Sequence, residues 1–516
     1  MSGAAHLSPA AAPAPRHGAA ARFLASAWLT AALFAIAAVQ QAVGHLDADV
    51  SWLITLAEQV LDGAAPYRDI MEPNPPAAFL SLAPAVLAGR WLAVRPEAMV
   101  VVWTLLLAGG ALGLCATLGP READPVRAGW MRNGATYLLT VAPAFMFAQR
   151  EHFALIAMAP ALARLSASGA PAPPWARALA GLGAAAALSF KPIFVLALLG
   201  PVAAVWLRAR SERPPLALEI VVAMGAGLAL AAALAWAFPD YLTRALPLVM
   251  DVYTASHEDT GVLLRHSLGP VYVALAALFL ALARLAPPGA PSMVPFLASV
   301  GFFACFVLQR KGWMNHGYPA VALVLYAMLR LLVDRSTVWR GGLGRALALY
   351  AAIPAFVSAP AFFGVGVMLT DKEENPGLIA AVRSVAPPRP TIVVLGFRIP
   401  IGHPLTRRVD GVWAAPSASL WVYDMVETLL ADPTLPPDRR ARLEAYGRDD
   451  LARFAAALRR RPPDVVLVEG ARAHALAATR PELAGALDNY RKAAVAGPIE
   501  VWTRAMDAPR AVGRSE

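Results

Sequence analysis

From Phe23 to about residue 369, apolar residues gather into long runs separated by short polar breaks, and the pattern then changes. Runs at 23–39, 98–118, 133–148, 153–166, 176–190, 193–207, 216–238, 268–286, 293–308, 317–333 and 345–369 each read as a membrane-spanning helix. A further run at 77–94 starts after Pro75-Pro76, contains Pro84 and is interrupted by Arg90. Counted as a span, it would put the arginines of 119–132, with Arg208, Arg210 and Arg213, on the outside. Laid in the outer interface or re-entering, it returns them to the cytoplasm with Arg164, Arg177, Arg284, Arg335, Arg340 and Arg345, as the positive-inside rule requires. The prediction is therefore about eleven transmembrane helices plus one interfacial or re-entrant segment, with the N-terminus inside.

Past residue 370 the long runs stop. Short β-rich stretches at 391–397, 464–469 and 499–503 predict strands, and helical periodicity fills 417–431 and 437–461. The predicted organisation is an N-terminal cytoplasmic tail (1–21), an all-α polytopic membrane domain (22–370) with its first outer loop at 40–76, and a soluble α/β domain outside the membrane (371–516).

Composition agrees with this partition. Of 516 residues, 58% are hydrophobic and only 16% charged, which excludes a soluble globular enzyme and a disordered chain. Residues 1–370 hold 41 charged side chains, whereas the 146 residues from 371 onward hold 39, so the last part is built for water. The net charge of +10 is read as topology rather than as a nucleic-acid surface, since much of the membrane part's surplus sits in short loops. Cys115 and Cys305 both lie in apolar runs and offer neither a disulfide framework nor a thiolate metal site.

With this topology the chemically capable residues fall on the outer side. The first outer loop carries Asp47-Ala48-Asp49, two carboxylates just past a span that can act as a base or as oxygen ligands for a divalent cation. It continues through Tyr67 to Glu72-Pro73-Asn74. Arg150, Glu151 and His152 sit at a span boundary. Lys191 interrupts an otherwise apolar stretch and is one of only four lysines in the chain. An ammonium at that depth is costly unless paired or hydrated, which points to an anionic partner. Arg310, Lys311, Trp313 and His316 end another span. These cations can neutralise a phosphate, while Tyr67 and Trp313 offer flat faces of the kind on which sugar rings stack. The tail shows no phosphate loop and no metal-ligand spacing, so it is read as a capping or acceptor-positioning domain.

The order of these motifs resembles the GT-C superfamily of polytopic glycosyltransferases that use polyprenyl-phosphate sugars, which includes protein O-mannosyltransferases and the aminoarabinose transferase of lipid A. The resemblance rests on the acidic first outer loop (Asp47-Ala48-Asp49), on Pro66-Tyr67-Arg68-Asp69 and Glu72-Pro73-Asn74-Pro75-Pro76, on Arg150-Glu151, on Phe190-Lys191-Pro192, and on the outer soluble tail. It implies a GT-C-like fold and an inverting transfer from a lipid-linked donor to a glycan, lipid or protein hydroxyl. Asp49 would be the base, and Lys191, Arg150 and Lys311 would stabilise the departing phosphate. Glu72 and Asn74 would approach donor or acceptor; relatives often carry Lys where Asn74 stands. No cofactor is required by this scheme, although a divalent cation at Asp47 and Asp49 is compatible with it. The bias to Ala, Pro and Arg suggests a bacterial chain, placed in the inner membrane among its lipids with the tail periplasmic. Rival readings are a transporter or lipid flippase, a membrane ligase or polymerase of lipid-linked glycans, and a non-catalytic assembly subunit.

Overall fold

A computed structural model of the chain describes residues 18–44, 46–167, 169–208, 217–265, 268–285, 288–334 and 375–505. The predicted span at 345–369 lies outside them. Each of the other ten predicted spans has a helical counterpart. Among the described residues five helices are long and apolar enough to cross a membrane: Ala27–Gly44, Pro96–Leu118, Leu218–Ala237, Ala290–Gln309 and Met314–Asp334. The other spans are shorter; among them Arg150–Ser166 begins just after Gln149, and Pro174–Phe190 ends at Lys191. The run at 77–94 forms two short helices, Ala77–Leu80 and Ala83–Leu92. At about 1.5 Å per residue neither approaches the ~30 Å of hydrocarbon.

One boundary differs from the sequence pattern. The run at 133–148 predicts a helix, but the helix is Pro125–Thr140, started by Pro125 at its first position and by Asp124, whose carboxylate accepts from the Val126 amide at 2.9 Å. Pro143 prevents continuation, and the chain turns through Ala144 and Ala148, both with positive φ, before restarting at Arg150. Close helix packing relies on small residues: a Cβ on Gly183 or Gly301 would collide with the backbone of Ala157 or of Leu196 and Ala197.

The tail contains a five-stranded sheet in the order β2-β1-β3-β5-β4, with β1 Thr391–Leu395, β2 Val412–Trp413, β3 Val465–Glu469, β4 Tyr490–Ala496 and β5 Ile499–Arg504. β1 runs parallel to β2 and β3, and β5 is antiparallel to β3 and β4. Helices Trp421–Leu430, Pro437–Arg460 and Gly470–Thr479 complete an α/β unit. It packs on the first outer loop. Arg407 is clamped between Glu58 at 2.6 Å and Glu97 at 2.7 Å, the Met71 amide donates to the Pro416 carbonyl at 2.6 Å, and Trp52 meets Trp413 edge-on at 6.4 Å.

Candidate active site

The helix Ala48–Leu61 opens the first outer loop, and its N-cap is Asp47, which accepts from the Asp49 amide at 2.8 Å. The cap fixes Asp49 in the first turn, where its carboxylate lies 3.8 Å from the Arg150 guanidinium. The Asp49 side chain remains 35% exposed, whereas that of Arg150 is 6% exposed, so the aspartate is the accessible member of the pair. Burial lifts the Asp49 carboxyl above the ordinary aspartate range, against the opposing pull of Arg150.

A buried polar network backs this pair. Gln149 donates to Asp47 at 2.9 Å and accepts from Asn315 at 2.7 Å, and Asn315 also donates to Glu151 at 3.1 Å. Glu151 forms an ion pair with Lys191 at 2.6 Å. The Lys191 ammonium also reaches Gln309 at 2.7 Å and His316 Nε2 at 2.9 Å. The network thus joins the first outer loop, the start of Arg150–Ser166, the break after Pro174–Phe190 and the start of Met314–Asp334. With Gln309 at the end of Ala290–Gln309, five stretches of the chain meet at one end of the bundle because each of these breaks falls there.

Lys191, expected from the sequence as a phosphate clamp, is already neutralised by Glu151, and its place is in the network. Lys311 stands differently. It is 8% exposed, its ammonium lies 3.3 Å from the centre of the Tyr253 ring and 4.6 Å from that of Trp313, and among the described residues no carboxylate lies within ion-pair distance. Burial, reinforced by repulsion from Lys191 and Arg150, pulls the Lys311 ammonium down to about 7. Arg150 and Lys311 are therefore the cations nearest to serving an incoming anion.

Other sequence candidates take different places. Tyr67, expected to offer a sugar-stacking face, is fully buried with φ +67, packs on Tyr241 and Phe79, and donates its hydroxyl to the Asn74 carbonyl at 2.7 Å. Glu72 is buried and accepts from Trp52 at 2.6 Å, from the Asn74 amide at 3.0 Å and from the Asn74 side chain. Its carboxyl is raised by burial. These three residues shape the loop from within. His152 is also internal: its Nδ1 accepts from the Ala148 amide at 3.1 Å, so Nε2 carries the proton that it donates to the Leu139 carbonyl at 2.9 Å. That arrangement latches the turn preceding Arg150. Arg310 is exposed and donates to the Glu258 carbonyl at 3.0 Å, and Trp313 remains 41% exposed beside His316. Sequence reasoning gave no role to Asn315, Gln309 or Tyr253. Asn315 lay within a run already singled out; Tyr253 sat in a loop with no distinguishing pattern.

The divalent cation considered at Asp47 and Asp49 suits this donor set poorly. One Asp47 oxygen already accepts two N–H groups, and Arg150 faces Asp49 where a metal would place a like charge. Among the described residues no three His, Cys, Asp or Glu side chains converge.

A bundle of apolar helices with an acidic first loop, buried cations behind it and an α/β tail docked on that loop is a fold shared with solved structures of ArnT. Among solved structures it is similar to ArnT from Cupriavidus metallidurans. The form bound to undecaprenyl phosphate matches with a TM-score of 0.55 at 14% identity, covering 92% of this chain and 97% of that one. The apo form matches with a TM-score of 0.53 at 14% identity, over 94% and 98%. No protein-family model and no curated protein sequence matches the chain. At this identity the likeness establishes the fold.

Proposed function

We propose that the chain is an inverting glycosyltransferase of the bacterial inner membrane that moves a sugar from a polyprenyl-phosphate donor to a hydroxyl of a periplasmic glycan, lipid or protein. The observation that carries this reading is the accessible Asp49 carboxylate held beside buried Arg150, with the unpaired Lys311 in the same site. The ArnT fold, one of whose structures holds undecaprenyl phosphate, supports a lipid phosphate as the donor's carrier.

In this mechanism the acceptor oxygen attacks the anomeric carbon while the bond from that carbon to the phosphate oxygen breaks. The electron pair leaves with the phosphate, and the acceptor proton passes to Asp49. A raised carboxyl pKa makes Asp49 a better base than an ordinary aspartate. Arg150 and Lys311 offset the charge that grows on the leaving phosphate, electrostatic help that needs no metal. A lipid-linked donor keeps its chain in the bilayer and its sugar in water, so a site at one end of the bundle under a soluble domain suits it. The test is consumption of a panel of radiolabelled polyprenyl-phosphate sugars by membranes containing the wild-type chain or Asp49→Asn. The near-isosteric change should lower turnover by about 10²-fold or more with expression intact. A wild type that consumes no donor, or a fully active Asp49→Asn, refutes the assignment.

A further inference from the structure

A cavity of about 510 Å³ opens toward the end of the bundle opposite Asp49. It is lined along Pro125–Thr140 from Ala128 to Leu139, along Arg150–Ser166 from Leu155 to Ser166 and along Met314–Asp334 from Ala322 to Arg330, with the end of Pro96–Leu118 and the start of Ala290–Gln309. Along Arg150–Ser166 the lining runs from Leu155 to Ser166, so its inner edge begins about 7.5 Å along the helix from Arg150 and its far end about 24 Å away. Its walls are apolar, among them Leu112, Leu139, Leu155, Leu162 and Leu323, and Arg121, Arg132 and Arg330 also line it.

Arg330 is matched by Asp334 and by Glu122, which also lines the cavity, but Arg121 and Arg132 are not matched by acids among the described residues. Arg121 and Arg132 are exposed; Arg132 donates only to Thr30, Asn133 and the Ala25 carbonyl. Arg330 is 6% exposed and pairs through one terminal nitrogen with Glu122 and Asp334, yet its Nε is buried without a hydrogen-bond partner. Water can serve the arginine-lined end of the cavity, but its leucine-lined part offers water no polar partners, and leaving that part empty forfeits dispersion contacts along its walls. Its volume is in the range of ligand sites. The guanidinium fork matches phosphate oxygens.

We infer that this cavity binds an anionic, phosphate-headed membrane lipid, with its head on Arg121, Arg132 and Arg330 and an apolar chain between the helices. The occupant has a route to the catalytic layer. The innermost wall includes Leu138 and Leu139, whose carbonyls accept from Tyr318 at 2.5 Å and from His152 at 2.9 Å, and His152 in turn holds the turn that leads into Arg150.

The test uses the full-length chain, purified in mild detergent and stripped of lipid, with binding read by native mass spectrometry and thermal shift. The probes are dioleoylphosphatidylglycerol, undecaprenyl phosphate and inorganic phosphate. Dioleoylphosphatidylglycerol should bind the wild type and Lys311→Ala alike, whereas undecaprenyl phosphate, which the proposed function also brings to Lys311, is read through the cavity variants. Arg121→Gln/Arg132→Gln should weaken that binding by about tenfold or more, as loss of two charge-assisted contacts requires. Ala159→Trp, which fills the cavity wall and leaves the arginines in place, should weaken it too. The two lipids compared under these variants identify whether the head belongs to a bulk phospholipid or to a polyprenyl carrier. Equal binding of each lipid by the wild type and both cavity variants, or dioleoylphosphatidylglycerol binding lost in Lys311→Ala instead, overturns the site. Inorganic phosphate binding as tightly as the lipids overturns the amphiphile. None of these readings depends on sugar transfer, so failure of the proposed activity leaves the test intact.

Discussion

Lys311 gives the sharpest consequence of the site's electrostatics, because its ammonium titrates near 7 while the guanidinium of Arg150 does not titrate in the usable range. The shift is downward, so the cation is present at low pH and is lost as pH rises through about 7. In the free enzyme roughly a tenth of Lys311 remains charged at pH 8 and roughly a hundredth at pH 9. A charge-assisted contact to phosphate contributes about 1.5–3 kcal/mol, equivalent to roughly 10–100-fold in rate. The value of kcat/KM, which reports the free enzyme, should therefore fall about tenfold per unit above pH 7 and level off roughly 10–100-fold lower. Lys311→Met should start at that floor and stay flat through the same window. Lys311→Arg, whose charge persists above pH 12, should lack the alkaline fall even where its geometry lowers the plateau. The assay is initial-rate donor consumption in detergent between pH 6 and 9. A flat wild-type profile, or an alkaline fall of the same size in Lys311→Arg, refutes the assignment of Lys311 as the titrating phosphate contact.

Three further outcomes follow from contacts in the structure. Glu151→Gln leaves the Lys191 ammonium buried without its carboxylate and should cost about 3–5 kcal/mol, seen as a lower melting temperature, while Glu151→Gln/Lys191→Met should recover part of the loss. Arg407→Ala leaves Glu58 and Glu97 facing each other across the tail contact, at a cost of about 2–5 kcal/mol; hydrogen exchange should rise along Val412–Trp413, and unchanged exchange would show that the clamp does not hold the tail. Asp450 is buried in the tail, accepts from the Tyr423 amide at 3.1 Å, and has its carboxyl raised to about 7 by burial. The folded chain keeps a proton that the unfolded chain releases, so this group's contribution falls as pH rises from about 4 to about 7, by at most about 4 kcal/mol; Asp450→Asn should remove that slope from thermal unfolding.

The membrane part was legible because an apolar run is a local signal: ten predicted spans coincide with helices, although Pro143 displaced one of them toward its N-terminus. In the tail, β1, β3 and β5 are apolar enough to announce themselves. β2 is two residues long, and β4 reads Tyr490-Arg491-Lys492-Ala493-Ala494-Val495-Ala496 with four of its seven positions exposed, so neither carries the pattern of a buried strand. Lys191 was conspicuous as a lysine in an apolar stretch, but its partner Glu151 is 40 residues away and only folding reveals the pair. The same holds for Tyr67. An aromatic ring in a Pro-rich outer loop looks exposed, and its burial depends on Phe79 and Tyr241, neither of which is its neighbour in sequence.

The tail explains part of its own presence through what it touches. It contributes no acid or base to the Asp49 pair, yet it contacts the elements that hold the site on two sides. On one side Trp413, Pro416 and Arg407 grip the loop and helix that carry Asp49 and Glu72. On the other, Trp421 meets the edge of the Tyr253 ring at 5.6 Å, and that ring lies beneath the Lys311 ammonium. A cation held against an aromatic ring and away from water interacts more strongly with an anion than one in bulk solvent, and the same desolvation lowers its pKa. Docking of the tail thus helps to set both the orientation of Asp49 and the environment of Lys311. Under the proposed function, a tail that adds no side chain to the Asp49 pair would govern turnover through packing alone.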